Sequence, residues 1–192
     1  MNKFCGLILL IALLIPLNCD AKDTTTINGE TVQKLMQHYF SADAKVGDDR
    51  LPYYGTGDFN ADGINDVAVL FYPQQNMKQS KQVRPSWPWA FEGSMQSDKH
   101  YKSLAIINGH PDGWMSPNTQ VFALFDKSGT LETPSFQLIV KKRSENDYAQ
   151  HLKGLPVPTA GDLIILPTEA GIDTYIFWNK STYKLHIPEE VP

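Results

Sequence analysis

Cysteine is nearly absent from this sequence: of 192 residues only Cys5 and Cys19 are cysteines, and both fall within residues 1–21. The rest of the chain has no thiol, no disulfide and no cysteine-ligated zinc, so it must hold together by burial. Basic charge is scarce as well. Lysine and arginine number 17 against 21 aspartates and glutamates, a net charge of −4 that argues against nucleic acid as a partner. No Gly-x-Ser-x-Gly elbow, HExxH helix or phosphate-binding loop occurs. Nor is there a repeat of about 20–50 residues, which speaks against a propeller or a solenoid.

The one long apolar run, residues 7–17, is short for a membrane span. With Lys3 ahead of it and Cys19-Asp20-Ala21 after it, it reads as a secretory signal peptide over residues 1–21. Residues 22–192 are then expected to be a single exported domain, periplasmic or extracellular, with no further stable membrane span. The alternative is a lipoprotein anchored at Cys19, although Asn18 is a poor match to the small residue such motifs carry.

After a polar lead-in, Asn28 can cap a helix, and Val32, Leu35, Met36, Tyr39 and Phe40 recur at helical spacing. Residues 42–50 read as a connector. Residues 51–59 and 67–72 read as strands, and the five apolar residues from Val67 to Phe71 imply a central strand buried on both faces. Further short apolar runs at 103–108, 120–126, 136–142, 162–166, 174–178 and 183–187 are separated by turn residues, with a short helix or loop at 144–155. The expected fold class is α+β: an N-terminal amphipathic helix packed on a mainly antiparallel sheet, with a hairpin whose tip is acidic.

That tip carries the chemistry. Asp58, Asn60 and Asp62 place oxygens at alternate positions, Gly63 allows a sharp turn, and Asp66 follows four residues after Asp62. A loop that folds back turns alternate side chains inward, and carboxylates brought together repel one another unless a hard cation lies between them. Calcium takes about six to eight oxygens of this kind. The candidate metal set is therefore Asp58, Asn60, Asp62, Asp66 and the backbone carbonyl of Ile64, with Ca2+ as the cofactor. The bland reading is a polar turn, since Asp, Asn and Gly favour turns for reasons of backbone geometry.

Residues 57–69 resemble the calcium loop of FG-GAP (integrin-type) and VCBS repeats, with Asp58, Asn60, Asp62, the Ile64 carbonyl and Asp66 on the family's ligand positions. Ala61 stands where those families usually have glycine. Such repeats build propeller blades in several copies, and a single copy does not carry that fold over. The chain is more similar to small exported bacterial proteins in which one such loop sits in an α+β domain. An EF-hand fails, because its twelfth loop position would be Val69 instead of a bidentate glutamate, and a strand pattern follows instead of a helix.

Residues 73–100 hold prolines, glutamines and the cluster Trp87, Trp89 and Phe91. Long stretches without periodicity are often functional or disordered. These aromatics are either a partner-binding platform or a cover folded over the sheet. Of the five histidines, His110 beside Asp112 is the most suggestive of catalysis, although an exposed turn explains it as well. The expected function is an exported calcium-binding domain, non-enzymatic, engaging a protein or glycan at the cell envelope. The alternatives are an exported hydrolase braced by calcium, and an inhibitor or immunity protein for an envelope enzyme.

Overall fold

The computed structural model describes residues 27–41, 44–46, 53–73, 77–85, 103–124, 137–167 and 172–188. Residues 1–21, Trp87, Trp89, Phe91 and His100 lie outside the described residues. The fold is mixed α+β and mostly sheet. It begins with α1, Gly29–Phe40, whose N-cap Asn28 accepts the Thr31 amide at 2.9 Å.

Two sheets follow, where the sequence suggested one. The larger contains β1 (Lys45–Val46), β2 (Tyr54–Gly57), β3 (Asp66–Tyr72), β4 (Val83–Pro85), β5 (Ser103–Ile107) and β6 (Val121–Leu124). The smaller contains β7 (Ile139–Lys141), β8 (Leu163–Leu166), β9 (Thr174–Asn179) and β10 (Thr182–His186), in the order β10-β9-β8-β7. Between β7 and β8 lies the short helix α2, Tyr148–Leu152. All pairings are antiparallel except that of β4 with β6. The sequence reading of 42–50 as a connector and 73–100 as aperiodic omitted β1 and β4. Strands of two or three residues are too short to show a period and exist only through their partners.

β3 is central, as its apolar run implies: it pairs with β5 on one edge, and with both β2 and β1 along the other. Side chains alternate across a strand, so β3 contributes to two buried clusters. Val67, Val69 and Phe71 share one with Val32, Leu35, Met36, Tyr39 and Phe40 of α1. Ala68 and Leu70 share the other with Ile164, Leu166, Ile176 and Tyr183 of the smaller sheet. The two sheets therefore face one another. A third cluster joins Leu163, Ile165 and Phe177 to Tyr148.

The sheets come closest at β2, where glycines make room. A Cβ on Gly55 would lie 2.5 Å from a Val140 methyl, and one on Gly57 would lie 2.7 Å from Asp162 Oδ2. This close approach brings the smaller sheet against the hairpin tip between β2 and β3.

Candidate metal centre

β2 and β3 pair in register from Tyr54 opposite Val69 to Gly57 opposite Asp66, so residues 58–65 span the tip of the hairpin. The chain turns there with two left-handed residues, Ala61 at φ 63° and Gly63 at φ 86°. Each of the three alternating side chains accepts backbone N–H groups from further round the loop. Asp58 takes the amides of Asp62 and Gly63, each at 3.0 Å. Asn60 Oδ1 also accepts the Asp62 amide at 3.0 Å, and Asp62 Oδ1 accepts that of Ile64 at 2.8 Å. The Asn60 amide group donates to Asp62 Oδ2 at 2.8 Å.

Asp66 stands at the base of the loop and is fully buried. Its Oδ2 accepts the amides of Phe59 at 2.8 Å and Asn60 at 3.2 Å, and its Oδ1 accepts that of Gly109 at 2.7 Å. Burial pushes its carboxyl up to about 7, the Gly109 amide opposes the rise, and the charge on Asp62 adds to it. The negative field reaches further. The Tyr183 phenol is raised well above its ordinary value by burial and then by Asp66, Asp62 and Asp58. Its hydroxyl donates to Asn108 Oδ1 at 2.8 Å.

The loop is held from outside at three places. Asp162 Oδ2 accepts the Asp58 amide at 2.9 Å, and the Asp162 amide donates to the Asp58 carbonyl at 2.8 Å. The Trp114 indole donates to the Asn65 carbonyl at 2.9 Å. Gly109 lies so close that a Cβ there would be 2.5 Å from the Asn65 oxygen. These contacts are only partly legible in the sequence. The Gly109–Trp114 turn stands out in the sequence for its histidine, while Asp162 reads there only as the first residue of a strand.

The donor set can be tested against a cation. It is all oxygen, which suits calcium and not a thiolate- or imidazole-ligated metal. An ionised carboxylate offers about four acceptor positions. Three of those on Asp66 and two on Asp58 are taken by the amides above. Asp58 keeps acceptor positions beyond these two, whereas on Asp66 the Tyr183 hydroxyl adjoins the three amides. The loop as it stands is nevertheless closed on its own amides: among the described residues, no group of three or more His, Cys, Asp or Glu side chains is gathered so as to hold a metal ion.

Each of the four described histidines has its own neighbours. His110 Nδ1 accepts the Asp112 amide at 3.2 Å and lies 3.4 Å from Asp112 Oδ2, both within its own turn. His38 is exposed on α1 and edge-on to Tyr39. His151 lies 3.3 Å from the Tyr175 hydroxyl. His186 pairs opposite Tyr175. Compared with known protein families, with curated proteins and with solved structures, the chain matches none of them. Among the described residues no helix is long and apolar enough to cross a membrane.

Proposed function

We propose that this chain is an exported calcium-binding domain that engages a protein or glycan partner at the cell envelope and carries out no catalysis of its own. The observation that carries the reading is the 58–66 loop, in which Asp58, Asn60 and Asp62 all curl over backbone amides while Asp66 lies buried beneath them. Asp58, Asn60, Asp62, Asp66 and the Ile64 carbonyl would hold the ion. Bound calcium supplies positive charge to a hairpin tip whose carboxylates otherwise act on one another. The likeness of residues 57–69 to FG-GAP and VCBS loops supports the same assignment.

In this reading α1 seats its apolar stripe on the larger sheet, and the hairpin tip sits at the end of that sheet. Residues 1–21 direct export, and Trp87, Trp89 and Phe91 furnish the aromatic surface for the partner. Enrichment of tryptophan at binding hot spots supports that last choice.

Terbium, which replaces calcium at oxygen sites, tests the metal assignment. The Trp114 indole is bonded to the loop at Asn65, so it should sensitise terbium emission. The expected result is emission that calcium competes away and that Trp114→Phe reduces. Absence of emission, or emission indifferent to calcium, contradicts the assignment. Recovery of a partner from envelope extract only when calcium is present then tests the binding role.

A further inference from the structure

We propose that Asp162 is the positioning residue of the cation loop, fixing from the neighbouring sheet the backbone of its first ligand, Asp58. The inference rests on the reading of residues 58–66 as a cation loop.

Asp162 is 8% exposed, and both of its side-chain oxygens are engaged. Oδ2 accepts the Asp58 amide at 2.9 Å, and Oδ1 accepts the Arg143 amide at 2.7 Å. The Asp162 amide in turn donates to the Asp58 carbonyl at 2.8 Å. Asp58 is thus gripped at its N–H and at its C=O by one residue that lies 104 positions away. Fixing both ends of a residue fixes its φ and ψ, and with them the direction of its Cβ. The Asp58 carboxylate can then reach back over the amides of Asp62 and Gly63.

The approach is built into the chain on both sides. A Cβ on Gly57 would come within 2.7 Å of Asp162 Oδ2, and one on Gly161 within 2.0 Å of the Phe59 carbonyl oxygen. Arg143 closes the arrangement, with its guanidinium donating to the Ala160 carbonyl at 3.2 Å. A carboxylate serves here where an amide does not. Asparagine has one acceptor oxygen, so at this position its NH2 group would face one of the two N–H donors.

If Asp162 only joined the sheets, its loss would lower stability and leave the affinity for a cation unchanged. Outer partners that orient ligands typically change metal affinity by about 10- to 100-fold. The test is terbium and calcium titration of the wild-type protein, Asp162→Asn and Asp162→Ala, together with amide exchange of Asp58 followed by NMR. The expected result is a dissociation constant raised about 10- to 100-fold in Asp162→Ala and by less in Asp162→Asn. The wild-type Asp58 amide should exchange slowly in chelator as well as in calcium. A folded Asp162→Ala protein with wild-type affinity overturns the positioning role and leaves the cation loop standing. A wild-type protein that binds neither ion overturns both. Should Asp162→Ala fail to fold, unchanged affinity in Asp162→Asn, or a wild-type Asp58 amide that exchanges freely in chelator, overturns the role.

Discussion

The Asp66 carboxylate and the Gly109 amide meet at 2.7 Å across 43 residues of sequence, and so tie the tip of the β2–β3 hairpin to the turn after β5. Only glycine permits this, because a Cβ at position 109 would lie 2.4 Å from an Ile64 methyl and 2.5 Å from the Asn65 oxygen. Gly109→Ala should therefore force the two turns apart and cost about 1–3 kcal/mol, as overpacking does. Urea denaturation checks this, and an unchanged midpoint would show that the turns yield freely.

The same carboxylate sets a pH dependence in the metal-free protein. Burial raises Asp66 from 3.8 to about 7, so the folded state keeps a proton that the unfolded chain releases. Stability from this group is fully present below the unfolded value and is lost as the pH rises through about 7. Glu145 and Asp147, held low by Lys141, act in the opposite sense at more acid pH. In chelator the urea midpoint should fall between about pH 5 and pH 8, and Asp66→Asn should flatten that fall. A midpoint that climbs over this range contradicts the assignment.

Ala61 adopts φ 63° where glycine would be unstrained. The left-handed conformation costs a residue with a Cβ about 1–2 kcal/mol. Glycine gives back about 0.4–1 kcal/mol through its freer unfolded state. Ala61→Gly should thus stabilise the protein by a fraction of a kcal/mol to about 1 kcal/mol. Gly63→Ala, at φ 86° with open space around the Cβ, should destabilise it through backbone strain alone. Thermal melting of the two variants in chelator checks both signs.

Calcium should raise the melting temperature of the wild-type protein. At a free concentration about a hundredfold above the dissociation constant the gain is about 2.7 kcal/mol. Asp62→Ala should remove most of it, since Asp62 is an exposed loop carboxylate whose loss leaves the core intact. Equal gains in the two proteins would place the ion elsewhere.

What was legible in the sequence was mostly local. Asn28 and the stripe from Val32 to Phe40 marked α1, and the run after Asp66 marked a buried central strand with an acidic turn before it. The division into two sheets was not legible, because Leu163–Leu166 and Ser103–Ile107 are equally apolar and nothing local says which strand each will pair with. The parallel pairing of Val83–Pro85 with β6 is likewise a long-range event. At the loop, the sequence named the inward-pointing side chains but not the residues that hold them. Gly109, Trp114 and Asp162 each meet residues 58–66 with a side chain on one partner and a backbone atom on the other, and such pairs leave no matched side-chain pattern to read.

The central claim is that the bend from Asp58 to Asp66 takes up a divalent ion, and calorimetric titration of the purified protein with calcium tests it most directly. The account predicts one ion per chain, bound with a dissociation constant no weaker than about 10⁻³ M, the weak end for extracellular calcium modules, and lost in Asp58→Ala and Asp62→Ala. Absence of binding at that concentration, or binding that survives both substitutions, would contradict it.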